Sequence, residues 1–302
     1  MKILVCDAIA DSAIEQFKSK GFEVDIKTGM SPEELAEVIE PYDIIIVRSA
    51  TKVRKVAIDK AKNLKVIARG GVGLDNIDVE YAKSKGIKVV NTPAASSASV
   101  AELALAHMLA IYRFLPQANI TMRQGQWNKK AYKGLELSGK TLGIIGIGRI
   151  GQELAKRANA LGMKVIAYDA FIKEAPLDFI KMVEKEELLK NSDIISLHIP
   201  FIKEQGPTIT AKEFELMKEG AVLINCARGG VVDEKALLDA LNSGKLFGAG
   251  IDVFEKEPTD NTELINHPKV SVTPHIGAST KEAQARIGEE LVRVIVEEVN
   301  KM

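Results

Sequence analysis

Three glycines in the middle of the chain, Gly146, Gly148 and Gly151, are spaced as G-x-G-x-x-G. Gly146 and Gly148 stand at the end of the apolar run LGIIGIG, and Gly151 stands near the start of the helical pattern RIGQELAKRANALG. In a strand–turn–helix unit the first glycine permits a tight turn, the second lets a pyrophosphate approach the backbone, and the third lets helix and strand pack closely. The spacing therefore predicts a loop that holds a dinucleotide at the N-terminus of the following helix.

An acidic residue after the next strand adds to this prediction, because glycine-rich turns alone are common in α/β proteins. The strand MKVIAYD ends at Asp169, close to the spacing of about 20 residues that the motif requires. A carboxylate at this point binds the ribose hydroxyls of the adenosine and repels a 2′-phosphate. We therefore predict NAD, rather than NADP, as the cofactor.

Short apolar runs alternate with helical patterns on both sides of the glycine loop. Between Lys2 and Asn91 the predicted strands are KILVC, FEVDI, DIIIV, LKVIA and IKVVN. From Lys140 onward they are KTLGIIGIG, MKVIAYD, SDIISLHIP, GAVLINCA, LFGAGIDVF and KVSVTPH. This alternation is typical of parallel sheets with helices on both faces. We predict the α/β class, with two Rossmann-like or flavodoxin-like parallel-sheet domains.

Helical patterns are clearest in three places. Ser31 and Pro32 are a good cap and a good first-turn residue, so they predict the start of a helix. Residues 96–115 are apolar around much of a long helix, which indicates burial, and residues 280–301 form an amphipathic helix. Residues 116–139, which include Trp127, are poorly periodic.

Composition limits the classes of partner. The 302 residues are 46% hydrophobic and carry 41 basic and 41 acidic side chains, so no charge excess favours a nucleic acid or a membrane as partner. No apolar run approaches the roughly 20 residues that span a bilayer. Cys6 and Cys226 are too few for a disulfide framework or a metal site. We expect a cytoplasmic protein without a metal.

Polar side chains follow the strands of the second series. Arg228 comes after AVLINCA, Asp252 and Glu257 come at and after the end of FGAGIDVF, and His275 comes after KVSVTP. Because parallel strands end at one edge of the sheet, these residues should meet there. His275 suits the role of acid–base catalyst. Glu257 could bind the second ring nitrogen of His275, and Arg228 could bind the carboxylate of a substrate. Asp252 would accept from the nicotinamide carboxamide or stiffen its loop. The set predicts hydride transfer between an alcohol and a carbonyl.

Taken singly, such residues have simpler interpretations. A loop histidine is more often a surface residue than a catalyst, and only the joint occurrence at successive strand ends favours an active site. His198, just before Pro200, either packs beside the cofactor or caps its strand. His107, in the long apolar helix, and His267, in a turn, are interpreted as structural.

Longer blocks around these residues carry a resemblance to a known family. The chain resembles the D-isomer-specific 2-hydroxyacid dehydrogenases through GIIGIGRIGQELAKRANALGMKVIAYD, LINCARGGVVDEKALLDAL, GIDVFEKEP and TPHIGAST. It is most similar to the members that oxidise D-3-phosphoglycerate through VCDAIADSAIEQF, IIIVRSATKV, ARGGVGLDNID and HIGASTKEAQAR. The resemblance covers essentially the whole chain and implies Arg228, Glu257 and His275 as the catalytic residues.

The resemblance also implies binding residues. Cofactor contacts are expected from Val72, Gly146, Gly148, Arg149, Ile150, Gly151, Asp169, His198, Ile199, Pro200, Cys226, Ala227, Arg228, Asp252, His275, Gly277 and Ala278. Substrate contacts are expected from Arg48, Ser49, Gly71, Val72, Gly73, Asn76, Arg228 and His275. Residues 1–93 and 283–302 would form the substrate-binding domain, with an NAD-binding domain of residues 94–282 inserted between them. A homodimer through residues 96–139 is expected.

The implied activity is oxidation of D-3-phosphoglycerate to 3-phosphohydroxypyruvate, the entry to serine synthesis, with a phosphorylated 2-hydroxy acid as substrate. Reduction of glyoxylate, hydroxypyruvate or another 2-keto acid is the alternative within the same class. An NAD-sensing corepressor is the alternative from another class, since such relatives can retain the catalytic residues.

Three features depart from the family pattern. PFIKEQGPTIT, with Phe201 and Pro207, replaces the usual PLT…T after His198, so the loop beside the cofactor is expected to differ in shape. Lys129 and Lys130 stand where relatives often have an arginine, and our hypothesis is that one of them contributes phosphate affinity across a dimer interface. The sequence ends after the last amphipathic helix, so we expect no serine-sensing domain and no serine feedback through one.

Overall fold

Five parallel strands form the first of two sheets in the computed structural model, which describes all 302 residues. They are β1 (Lys2–Val5), β2 (Glu23–Ile26), β3 (Ile44–Val47), β4 (Val66–Arg69) and β5 (Lys88–Asn91). Their order is β2-β1-β3-β4-β5, and every neighbouring pair is parallel. This is the flavodoxin-like order, which reverses between β1 and β3.

Helices cover both faces of the first sheet. They are α1 (Asp11–Ser19), α2 (Pro32–Val38), α3 (Lys55–Lys60), α4 (Val79–Ser84) and α12 (Lys281–Val299). Successive strand residues face opposite sides, so Ile3 packs with Phe17 and Leu291 while Leu4 packs with Leu35. The start of α2 is as predicted, because the Ser31 hydroxyl accepts the Glu34 N–H and the Glu34 carboxylate accepts the Ser31 N–H.

Seven parallel strands form the second sheet. They are β6 (Thr141–Ile145), β7 (Lys164–Tyr168), β8 (Ile180–Met182), β9 (Ile194–Leu197), β10 (Ala221–Asn225), β11 (Leu246–Ile251) and β12 (Val270–Val272). Their order is β12-β11-β10-β9-β6-β7-β8. The strand order reverses between β6 and β9, and this is the point at which doubly wound folds bind dinucleotides. The glycine loop follows β6.

The helices of the second sheet are α5 (Ser97–Tyr112), α6 (Leu115–Arg123), α7 (Arg149–Ala160), α8 (Lys185–Asn191), α9 (Ala211–Leu216), α10 (Glu234–Asn242) and α11 (Thr262–Ile265), with a 3-10 turn at Lys129–Ala131. The long apolar helix α5 is buried, as predicted, because two glycines of β11 let it approach closely. A Cβ on Gly250 would come within 2.6 Å of the His107 Cβ, and a Cβ on Gly248 within 2.7 Å of Ile111.

Two elements lie where the sequence analysis predicted none. Phe114 adopts a left-handed conformation with φ 53°, which separates α5 from α6, and Pro116 occupies the first turn of α6. The edge strand β8 has three residues and pairs only with β7. Short elements with one neighbour carry little hydrophobic periodicity, so their sequence signal is weak.

By contacts the chain divides into two units, residues 1–96 with 278–302 and residues 97–277. The second unit is therefore inserted into the chain of the first. Every predicted strand run overlaps one of the strands above, and the predicted α/β class with two parallel sheets is confirmed. No single helix is long and apolar enough to cross a membrane; α5 and α6 reach that length and composition only when joined across their 63° bend.

Candidate active site

The glycine loop lies at the carboxyl end of β6, directly before α7. Gly146 has φ +95°, which favours glycine, and a Cβ there would come within 2.5 Å of the His198 carbonyl oxygen. A Cβ on Gly151 would lie 2.4 Å from the carbonyl oxygen of Gly146. Both glycines are therefore required by close packing of the chain against itself.

Gly148 differs from the other two glycines, because a Cβ there would meet no atom within 4 Å. No side chain caps α7, and its first turn contains no acidic residue. The N-terminal N–H groups and the positive end of the helix dipole therefore suit an anion. This open approach fits the pyrophosphate of NAD, which Gly148, Arg149 and Ile150 would hold.

Asp169 lies beside this loop at the end of β7. Its Oδ2 accepts the Ile147 N–H at 2.9 Å, and its Oδ1 accepts the N–H groups of Phe171 and Ile172 at 2.8 and 3.0 Å. Three backbone donors thus orient the carboxylate. A carboxylate offers about four acceptor sites, so capacity remains for a ribose hydroxyl.

His198 follows β9, on the other side of the glycine loop. Its Nε2 lies 2.9 Å from Ser196 Oγ, while its buried Nδ1 has no hydrogen-bond partner in the protein. Burial lowers the pKa of His198 to about 4, so the ring is neutral. The next residue, Ile199, would touch a Cβ placed on Gly146. An unpaired buried ring nitrogen beside the loop also fits a site that takes a polar ligand.

His275 and Glu257 are in direct contact. His275 Nδ1 lies 2.7 Å from Glu257 Oε2, and Glu257 Oε1 accepts the Phe254 N–H at 3.1 Å. Burial alone would raise the pKa of Glu257, but the hydrogen bond with His275 and the charges of His275 and Arg228 hold it below its usual value. Glu257 is thus a carboxylate at neutral pH, oriented to stabilise an imidazolium.

Asp252 holds the turn that carries His275. Its Oδ1 accepts the Thr273 hydroxyl at 2.6 Å and the Ile276 N–H at 2.8 Å, and its Oδ2 accepts the Gly277 N–H at 2.9 Å. His275 itself has φ +54°, an uncommon conformation for a residue with a Cβ. Of the two roles predicted for Asp252, stiffening the loop is the one its contacts support.

Arg228 follows β10 in a turn shaped by Asn225. The Asn225 side chain accepts the Ala227 N–H at 3.1 Å and donates to the Arg228 carbonyl oxygen at 3.0 Å. Gly230 lies under the ring of Phe201, where a Cβ would come within 2.9 Å. The departure at Phe201 therefore affects the packing of the turn that presents Arg228.

Six of the eight predicted substrate residues lie in the first unit, in the segments that follow β3 and β4, while Arg228 and His275 lie in the second unit. Asp7 Oδ2 accepts the Arg48 N–H at 2.5 Å and the Thr51 N–H at 3.2 Å. The Asn76 amide donates to the carbonyl oxygens of Arg48 and Thr51 at 2.7 and 2.6 Å. Burial lowers the pKa of Arg48, and the charge of Asp7 partly opposes this shift. Arg48 is thus held by a stiff, hydrogen-bonded loop.

The other predicted residues differ in accessibility. Val72 and Ser49 are exposed, whereas Cys226 and Ala227 are buried. Burial raises the pKa of the Cys226 thiol, which makes it unreactive. The Val72 carbonyl oxygen accepts from the Asn91 amide at 2.5 Å.

Several residues that hold these loops were not predicted from the sequence: Asp7, Thr51, Asn91, Asn225 and Thr273. Most of them end a strand or come within two residues of its end. The strand-end argument that found Arg228 and His275 could therefore have found most of them as well.

Known proteins similar to this chain belong to the family that its sequence resembles. The family model described as "D-isomer specific 2-hydroxyacid dehydrogenase, NAD binding domain" matches residues 105–277. The D-3-phosphoglycerate dehydrogenase of Methanocaldococcus jannaschii is 47% identical over 305 residues, which cover 100% of this chain and 57% of that protein. The hydroxypyruvate reductase of Thermotoga maritima is 52% identical over 273 residues, covering 89% of each chain.

Solved structures agree with these matches. The D-lactate dehydrogenase of Aquifex aeolicus, solved with NAD and lactic acid, superimposes with a TM-score of 0.88 at 34% identity, covering 100% of this chain and 96% of that one. By contrast, this chain spans little more than half the length of the first phosphoglycerate dehydrogenases it matches. The predicted NAD cofactor is confirmed through the matched NAD-binding domain. The chain belongs to the D-isomer-specific 2-hydroxyacid dehydrogenases, a family of oxidoreductases.

Proposed function

We propose that this protein oxidises D-3-phosphoglycerate to 3-phosphohydroxypyruvate with NAD. The observation that carries the proposal is the 2.7 Å contact between His275 Nδ1 and Glu257 Oε2, in the same unit as the glycine loop and Arg228. The 47% identity to a phosphoglycerate dehydrogenase across the whole chain supports the choice of substrate.

In the proposed mechanism, bound NAD would supply the acceptor for the hydride on the carbon that bears the hydroxyl group. His275 removes the hydroxyl proton. Because Nδ1 is engaged by Glu257, Nε2 is the nitrogen that takes this proton. The Glu257 carboxylate stabilises the imidazolium that forms, and its lowered pKa keeps it ionised at neutral pH.

Arg228 binds the substrate carboxylate and polarises the forming carbonyl, a role that suits its planar, bidentate donors. Cofactor contacts are proposed for the glycine loop, Asp169, residues 198–200, residues 226–228 and Asp252. The first unit would bind the rest of the substrate through Arg48, Ser49, the turn at 71–73 and Asn76. The hydrogen bonds that Asp7 and Asn76 make to the loop around Arg48 support this assignment.

Turnover is tested by following NADH absorbance with NAD and D-3-phosphoglycerate. D-Glycerate, D-lactate and the variant His275→Ala serve as comparisons. We expect turnover of the phosphorylated acid, and its loss in the variant. Faster turnover of the unphosphorylated acids would contradict the substrate but not the family.

Hydroxypyruvate reduction is the second candidate, since a hydroxypyruvate reductase shares 52% identity over 89% of this chain. NADH oxidation with hydroxypyruvate and with glyoxylate, compared with 3-phosphohydroxypyruvate at equal concentration, separates the two activities. Tight NAD binding without turnover of any of these acids would instead favour the NAD-sensing corepressor.

We also propose a homodimer formed through residues 96–139, in a cytoplasmic protein. Helix α6 has no buried residue, and Leu115, Ile120, Met122 and Trp127 are between 53% and 79% exposed. Such an apolar surface fits a second copy of the chain. The apolar face of α5 does not support dimerisation, because it is covered within its own unit. Light scattering of Ile120→Glu against the unmodified chain tests the proposal: a monomer is expected for the variant only.

A further inference from the structure

His107 is a polar residue in the middle of the apolar helix α5. It is 2% exposed, and its helix neighbours Ala104, Met108 and Ile111 belong to the hydrophobic core. Burying an imidazole costs free energy unless its nitrogens are hydrogen-bonded. Both are: Nδ1 lies 2.9 Å from Ser271 Oγ, and Nε2 lies 3.1 Å from Thr273 Oγ1.

The directions of these hydrogen bonds follow from the partners. The Thr273 hydroxyl has one proton, which it donates to Asp252 Oδ1 at 2.6 Å. His107 Nε2 must therefore carry a proton and donate it to Thr273. Burial lowers the pKa of His107, although the charge of Asp252 opposes the shift, so the ring is neutral. Its Nδ1 then accepts the Ser271 hydroxyl proton, which defines one tautomer.

The same chain of hydrogen bonds continues to the turn of His275. Asp252 uses Oδ1 for both Thr273 and Ile276, and Oδ2 for Gly277. The His275 N–H donates to the Asp252 carbonyl oxygen at 2.8 Å. Hydrogen bonds in a chain polarise one another. The N–H that His107 donates to Thr273 therefore strengthens the hydrogen bond that the Thr273 hydroxyl donates to Asp252.

We propose that His107 is a positioning residue for the acid–base histidine. It donates to Thr273, Thr273 donates to Asp252, and Asp252 holds the turn that keeps His275 against Glu257. Gly250 is part of this arrangement, since any side chain there would displace the His107 ring. The turnover measurements below rest on the proposed dehydrogenase function, whereas the NMR measurements do not.

The first test needs no substrate. The chain has four histidines, so nitrogen-15 NMR can resolve each ring and assign it by substitution. We expect His107 to remain the neutral Nε2–H tautomer around neutral pH. A Nδ1–H tautomer, or a ring that titrates like one in water, would overturn the proposal.

The second test compares His107→Leu with His107→Gln. The amide nitrogen of glutamine can reach the position of Nε2 and keep the donor to Thr273, whereas leucine cannot. We expect leucine to lower kcat about 3- to 10-fold, the worth of one neutral hydrogen bond, and to shift the His275 pKa measured by NMR and by the pH profile. Glutamine should restore both. Met108→Leu, a volume-conserving core change in the same helix, should leave both unchanged.

Thr273→Val breaks the same link from the other side, and it also serves if His107→Leu does not fold. The two changes should be non-additive when combined, because they remove one connection. Additive effects, or equal behaviour of His107→Leu and Met108→Leu, would refute the positioning role. If no acid is turned over, the proposed function fails, while the NMR shift of His275 still decides the role of His107.

Discussion

Each of the two sheets uses a buried aspartate at the carboxyl end of one strand to hold the loop after a neighbouring strand. Asp7 accepts the N–H groups of Arg48 and Thr51 and the Thr51 hydroxyl. Asp252 accepts the N–H groups of Ile276 and Gly277 and the Thr273 hydroxyl. Two backbone donors and one threonine hydroxyl thus satisfy the carboxylate in both units.

The two loops differ in the side chain that they present. The first presents Arg48, a permanent cation, which suits binding of an anionic group. The second presents His275, whose Nδ1 lies 2.7 Å from Glu257 Oε2, and an imidazole suits proton transfer. If the proposed roles hold, the same arrangement of hydrogen bonds serves anion binding where the loop carries Arg48 and proton transfer where it carries His275. Substitutions in the first loop should therefore change KM, and those in the second should change kcat.

The largest effect is expected at His275. His275→Gln removes the proposed acid–base group, so kcat should fall about 10²- to 10⁴-fold, while NADH affinity measured by fluorescence changes little. Steady-state kinetics with saturating NAD measures the loss. A variant that retains more than a tenth of the turnover would show that His275 is not the acid–base residue.

Asp7→Asn and Asp252→Asn test whether the two devices are equivalent. Each amide places N–H₂ where a carboxylate oxygen accepted N–H or O–H donors, so each should lower the free energy of unfolding by about 2–4 kcal/mol. Urea unfolding measures the change, and Asp178→Asn, at an exposed aspartate, is the control. If one substitution is neutral, the likeness of the two loops is only geometric.

Arg48→Ala should raise KM for the phosphorylated acid about 10- to 100-fold, the worth of one charge-assisted hydrogen bond, with a smaller change in kcat. Lys52→Ala, an exposed residue of the same loop, is the matched control and should change KM less than about twofold. A fall in kcat alone for Arg48→Ala would break the proposed division between binding and catalysis.

The smallest effect concerns the pH dependence of stability at Glu257. Its pKa is lowered in the folded state, so its contribution is present above the unfolded value of about 4.3 and is lost as the pH falls through the lower folded pKa. Glu257→Gln lacks this contribution. Because both partners are more than a third exposed, the difference should stay within about 1 kcal/mol. Unfolding of both proteins across the acid range measures it; a difference that grows as the pH falls would contradict the sign.

Sequence patterns were sufficient for the strands and for the positions that follow them. Parallel strands read as continuous β-branched runs because both of their faces are buried, and Arg228, Glu257 and His275 stand out because polar residues follow such runs. The patterns were insufficient for α6, β8 and Asp7. Asp7 carries the same side chain as any surface aspartate, and only the donors that it accepts from distinguish it.

The glycine spacing and the strand ends belong to local sequence, because each of these signals depends on residues that are near neighbours along the chain. Contacts between residues distant in sequence belong to the tertiary structure. His107 and Thr273 are separated by 166 positions, and Arg48 and Asp7 by 41. Packing decides whether such pairs meet, and it turned a histidine that the sequence marks as structural into the start of a hydrogen-bonded path to His275.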